Sequence, residues 1–194
     1  MMRVLRISVD LMLSLESQEP FDVAAWLDGP DLWDTKSGQL PKPFRWLSQQ
    51  RQTAQIPYKN FVSLGKMEVG EVTVRFKDGN LSSLALSLFA RRDDPALNRQ
   101  HFLTRVKQAE IWLTKHTGQD PIRVKTTANV TKAQRLGWET TTSHFHLGHH
   151  SQRAHKLRDH PFQGKFIRIE ILTKRERALI ERSATWLKQQ VQKD

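Results

Sequence analysis

Two alternating runs flank the tetrapeptide Lys77-Asp78-Gly79-Asn80, and together they constrain the fold more than any other feature of the sequence. Val72, Val74 and Phe76 alternate with Thr73 and Arg75; beyond the tetrapeptide, Leu84, Leu86 and Leu88 alternate with Ser83, Ala85 and Ser87. A period of two puts one set of side chains on each face of a strand. Asp-Gly supplies the positive φ angles of a two-residue hairpin turn. The pattern predicts a β-hairpin over residues 69–76 and 81–89, with one apolar and one polar face.

A helix is expected next. Phe102, Val106, Ala109 and Leu113 recur at steps of four, three and four, and Ile111 and Trp112 widen the stripe. Asp94 is placed to cap this helix, Pro95 suits its first turn, and Gly118 can end it in a left-handed conformation. Residues 122–125 read as a short strand and 134–148 as one or two more. In 164–172, Phe166, Arg168, Glu170 and Leu172 alternate with Ile167, Ile169 and Ile171, as in a half-buried strand. A closing helix follows: Thr173 and Glu176 have capping-box spacing, and Ile180, Ala184, Leu187 and Val191 form its stripe beside Leu179 and Trp186. Earlier in the chain, 21–27 suits one or two helical turns. Residues 28–43, with two glycines and three prolines, suit a loop or a short helical turn.

This order, rich in hairpins and lacking strand–helix–strand crossovers, predicts an α+β fold. The expectation is a single domain built on an antiparallel sheet, with the two main helices on one face. Residues 1–30 form an N-terminal strand or short-helix segment, 31–172 the core, and 173–194 a C-terminal amphipathic helix packed on it. Asp10 interrupts the apolar run of residues 1–15 and no small-residue cleavage site follows, so that segment reads as folded chain rather than a leader. No run of 18 apolar residues offers a membrane span.

The chain has no cysteine, which excludes disulfides, thiolate metal sites and a cysteine nucleophile. There is no glycine-rich phosphate loop and no Gly-x-Ser-x-Gly elbow. No catalytic constellation and no cofactor is indicated. Charge is uneven: residues 1–90 carry 10 basic and 10 acidic side chains, and 91–194 carry 21 and 10, the whole net charge of +11. Such asymmetry fits a polyanionic partner or a solvated basic surface.

Two clusters are candidate sites. Six of the eight histidines lie between His144 and His160. His144 and His146 share a strand face, a spacing that can clamp a metal, with His149 and His150 close by. The plainer reading is a set of exposed histidines on a basic surface. The second cluster is Arg153, Lys156, Arg158, Lys165 and Arg168, with Trp138 and Phe145 among them. Cations for phosphates and flat rings for bases are what single-stranded nucleic acid binding needs. The plainer reading puts the rings in the core and the charges in solvent.

Several short runs resemble one another's order in a known family. They are Asp31-Leu32-Trp33, the Asp78-Gly79 hairpin leading to Arg91-Arg92-Asp93, Lys132-Ala133 with Leu136 and Trp138, and Pro161-Phe162 followed by Phe166-Ile167-Arg168-Ile169-Glu170. The pattern, over about residues 31–172, is similar to the non-catalytic N-terminal module of bacterial proteins that carry a papain-like peptidase domain of the bacteriocin-processing type. Arg92 departs from it, since the family usually has glycine there, and the histidines at 144, 146, 149 and 150 are peculiar to this chain. The resemblance implies an accessory module whose peptidase lies outside this chain, with relatives in the cell envelope or outside the cell. No catalytic residue carries over, because the family's nucleophile is a cysteine. The expected function is therefore a non-enzymatic domain that binds a protein or peptide. The alternatives are a nucleic-acid-binding protein using the basic second half, and a histidine-based metal module.

Overall fold

The computed structural model describes residues 21–29, 31–47, 50, 52–57, 62–90, 99–123, 134–150 and 166–191. The capping positions expected at Asp94 and Pro95, and residues 1–15, lie outside that set. In chain order the elements are β1 (Phe21–Asp22), α1 (Val23–Leu27), single 3-10 turns at Leu32–Asp34 and Ser37–Gln39, β2 (Arg45–Trp46), β3 (Thr53–Ile56), β4 (Val62–Leu64), β5 (Met67–Glu68), β6 (Glu71–Lys77), β7 (Asn80–Ala90), α2 (Arg99–Thr117), β8 (Ile122–Arg123), β9 (Gln134–Glu139), β10 (Ser143–His150), β11 (Phe166–Thr173) and α3 (Lys174–Val191).

Eight strands form one antiparallel sheet in the order β2-β3-β6-β7-β11-β10-β9-β8. It consists of two four-stranded halves, each followed in the chain by a helix. Their last strands, β7 and β11, meet at the centre. The α+β class and the antiparallel sheet packed with helices are as the alternation implies. β4, with β1 parallel and β5 antiparallel to it, forms a small second sheet.

The hairpin is where the sequence puts it. Asp78 (φ 52°) and Gly79 (φ 77°) both occupy the left-handed region, as a primed turn requires. The alternation of β7 slips twice. Near the turn Arg75 faces Ser83 but Phe76 faces Leu81, so Ser82 is an extra residue. Ile169 faces Leu86, but Ile167 faces Phe89, so a bulge at Leu88 hands the apolar row from Leu88 to Phe89. Both side chains are buried.

One face of the large sheet is almost wholly apolar. Trp46, Ala54, Ile56, Val72, Val74, Leu84, Leu86, Ile171, Ile169, Phe145, Leu147 and Trp138 follow one another across the strands in register. α2 covers the C-terminal half of this face with the predicted stripe, Phe102, Val106, Ala109 and Leu113, all buried. Phe102 meets Phe89 edge-on at 5.7 Å, and His116 meets Phe145 at 5.4 Å. α1, β4 and the Leu32–Asp34 turn supply Val23, Leu27, Val62, Leu64 and Leu32 to the same core. His116 Nδ1 pairs with Asp28 Oδ1 at 3.1 Å, tying α2 to the end of α1.

Trp33 fastens the 3-10 turn to the β9–β10 turn: its Nε1 donates to Ser143 Oγ at 2.8 Å. Ser143 is buried, and its hydroxyl also lies 3.2 Å from Thr142 Oγ1. Replacing Trp33 with phenylalanine keeps the ring but removes the donor, and is expected to cost about 1–2 kcal/mol in chemical denaturation.

The expectation that both main helices share a face needs correction. α2 packs on the apolar face, beside Phe145. α3 instead turns to the polar face: its Lys174 and Glu176 pair with Glu139 and Lys77, which alternate with the buried Trp138 and Phe76. Helical stripes say how apolar a helix is, not which side of a sheet the chain reaches when it turns out of a central strand. Among the described residues no helix is long and apolar enough to cross a membrane.

Candidate functional site

The polar face carries the candidate site, where β9, β10 and β11 run beside the first turns of α3. Position along β10 decides what meets there. His144 lies across from Glu139 on β9 and Leu172 on β11. His146 lies across from Gly137 and Glu170, and Gly148 across from Arg135 and Arg168. α3 enters directly from β11: Thr173 Oγ1 accepts from Glu176 N at 3.1 Å, half of the predicted capping box. Ion pairs then hold its first turn. Lys174 reaches Glu139 at 3.6 Å and Glu176 reaches Lys77 at 3.5 Å.

His146 is the centre of this arrangement. It is 8% exposed, one of two buried polar side chains among the described residues. Burial, then the Arg177 guanidinium, depress its pKa from 6.5 to about 4; Glu170 opposes the shift, and Arg135 and His144 add to it. The imidazole is therefore uncharged at neutral pH. None of the described residues forms a hydrogen bond with it. A buried polar group left without a partner costs about 1–3 kcal/mol, so its persistence here calls for a physical reason.

Its neighbours are charged. Arg168 Nε lies 3.5 Å from Glu170 Oε1, His144 Nε2 lies 3.7 Å from Glu139 Oε1, and Arg177 Nε donates to Glu181 Oε1 at 2.8 Å. Arg135 is exposed at the rim. Gly137 places no side chain beside the imidazole.

The predicted site residues are only partly brought together. His144 and His146 do share a face. His149 falls on the other face, where its ring lies 6.3 Å from Phe102 of α2. His150 ends β10 opposite Phe166. The four histidines thus form no single set, and among the described residues no three His, Asp or Glu side chains converge as metal ligands would. The surrounding guanidinium groups also oppose a cation.

Trp138 and Phe145, proposed as stacking rings, are 2% and 4% exposed. Trp138 Nε1 donates to Thr114 Oγ1 of α2 at 3.2 Å. Their faces belong to the core and are closed to a nucleobase. Arg168 lies on the polar face, paired with Glu170. Arg153, Lys156, Arg158 and Lys165 lie outside the described residues. Ser143, the buried hydroxyl nearest the histidines in sequence, points to the apolar face and bonds Trp33, so it forms no nucleophile–base pair with His144 or His146.

Sequence reasoning picked out His144 and His146 but missed Arg177, Arg135 and Gly137. Periodicity relates residues within one strand. It carries no signal that a helix some thirty residues further on returns to the same spot. No family model, no curated protein and no solved structure matches the chain.

Proposed function

We propose that this chain is a non-catalytic interaction module that binds a protein or peptide on the polar face of its large sheet. One observation carries the reading: the two faces of the sheet are treated oppositely. The apolar face is consumed by α2, α1 and the small sheet. On the polar face Thr53, Gln55, Thr73, Ser83, Ala85 and Ser87 stay half-exposed, with Arg75 and Glu71 exposed beside them. Short hydroxyl side chains interspersed with charges of both signs give an approaching backbone donors and acceptors with little ordering cost.

The family resemblance supports the same role, that of an accessory module beside a peptidase domain carried elsewhere. The runs that bear it have structural work in this fold: Asp31-Leu32-Trp33 ties a 3-10 turn to Ser143, and Phe166 to Glu170 forms the central strand. The burial of Trp138 and Phe145 counts against the nucleic-acid alternative.

The test places a photo-crosslinking side chain at Thr73 or Ser87, and at Leu103 on the outer side of α2 as a control, in the native cell. Protein adducts are expected from the two sheet positions and not from Leu103. Adducts from Leu103 alone would overturn the reading. So would tight oligonucleotide binding by the purified chain that weakens by orders of magnitude between low and near-physiological salt.

A further inference from the structure

We propose that the site around His146 receives a carboxylate from an acidic segment of the partner, clasped by Arg135 and Arg177 with the His146 imidazole beneath it. This deepens the reading above and rests on it.

Three observations converge. First, His146 is more than nine-tenths buried, and none of the described residues hydrogen-bonds to it. A neutral imidazole offers one N–H donor, which an oxyanion accepts. Second, its cross-strand neighbour on β9 is Gly137, so no side chain from that strand stands against the imidazole edge. Arg135 stands one ladder step away on the same face of β9, opposite Gly148, and is exposed. Arg177, from the first turns of α3 and paired with Glu181 at 2.7 Å, acts with Arg135 on the charge state of the imidazole. Guanidinium groups match the two oxygens of a carboxylate.

Third, the charge balance selects a singly charged ligand. Arg135, Arg168, Arg177 and Lys174 are four permanent cations. Glu139, Glu170 and Glu181, each within 4 Å of one of them, are three carboxylates. One positive charge is left in excess while His146 is neutral. That suits a side-chain or terminal carboxylate. It is a poor match for a chain of phosphates, which requires many uncompensated cations.

The groups facing His146 are Arg177 from α3, Glu170 from β11, Arg135 from β9 and His144 on its own strand. A carboxylate entering among them favours the protonated imidazole and draws its pKa upward. By reciprocity, binding tightens as the pH falls through the raised midpoint towards the free value of about 4, as long as the ligand carboxylate stays ionised.

The experiment follows the His146 Cε1–H resonance from pH 8 to pH 3, so that the free midpoint near 4 is covered, with the chain alone, with a saturating oligo-glutamate peptide, with a matched oligo-glutamine peptide, and with a short oligothymidylate. Oligo-glutamate is expected to raise the His146 midpoint by at least one pH unit, and oligo-glutamine to leave it in place. Arg135→Gln, at an exposed strand position, should weaken oligo-glutamate binding about tenfold with an unchanged circular dichroism spectrum, and Arg177→Gln should do the same. No movement of the resonance at saturation would overturn the proposal. So would full affinity in the Arg135→Gln variant, or an equal response to oligothymidylate. Crosslinking from Thr73 and Ser87 does not depend on these arms, so this site can fail while the broader reading stands.

Discussion

Replacing Trp138 with alanine is expected to destabilise the protein by about 3–5 kcal/mol, a large share of the roughly 5–15 kcal/mol that holds a typical domain folded. Trp138 is among the largest buried side chains, 2% exposed, and it joins three elements. It sits on β9, faces Phe145 across the ladder to β10, and hydrogen-bonds Thr114 of α2 at 3.2 Å. Truncation leaves a cavity under α2 and an unpaired threonine hydroxyl. Urea unfolding followed by circular dichroism should show the midpoint fall steeply. The experiment also separates two readings of this residue. A base-stacking tryptophan would lose oligonucleotide affinity on truncation and leave the midpoint where it was.

Acidification from pH 7 to pH 5 is expected to remove about 2 kcal/mol of stability through His146 alone. Its pKa is about 4 in the folded chain against 6.5 in the unfolded one. Between those values the unfolded state binds more protons, so the free energy of unfolding rises with pH across that window. The contribution is fully present above about pH 6.5 and is lost as the pH falls through about 4. His146→Gln removes the titrating group and keeps a polar side chain of similar reach. The difference in unfolding free energy between pH 7 and pH 5 should shrink by about that amount in the variant, read from urea curves at the two pH values. An unchanged pH dependence would mean that the imidazole is solvated and titrates normally. An acidic peptide bound beside His146 would work in the opposite sense, since it would favour the folded chain with a protonated imidazole. Its presence should restore part of the stability lost at pH 5.

Much of the local structure was legible in the residues. The hairpin turn at Asp78-Gly79, the α2 stripe, the 3-10 turns between 28 and 43, and the start of α3 at Thr173 all lie where short-range chemistry puts them. These are features in which neighbouring residues decide the outcome. The short strands β2, β3, β4 and β5 gave no such signal. Each has two to four residues, too few for alternation to register, and each is a strand because the ladder beside it is already formed. The slip at Leu88 was equally hidden, because it depends on how β11 pairs with β7.

The candidate site divides in the same way. The spacing of His144 and His146 placed both on one face of β10, and the same rule placed His149 on the other. What surrounds them came from elsewhere: Arg135 and Gly137 from β9, Glu170 from β11, Arg177 from α3. Burial reversed the role first suggested for the two aromatic residues, since Trp138 and Phe145 proved to be core and the His146 imidazole proved to be the unusual group.

By itself, then, the amino-acid sequence determined the α+β class, the alternation of β6 and β11, the buried stripe of α2, and the absence of cysteine chemistry. All of these follow from periodicity and composition within a few turns of chain. Only the tertiary structure decided that β11 inserts between β7 and β10, that α2 and α3 reach opposite faces, and that a neutral histidine lies buried near two arginines. Those outcomes depend on which distant segments share a ladder. That choice is made by the total apolar surface removed from water, a sum over the whole chain that no local pattern contains.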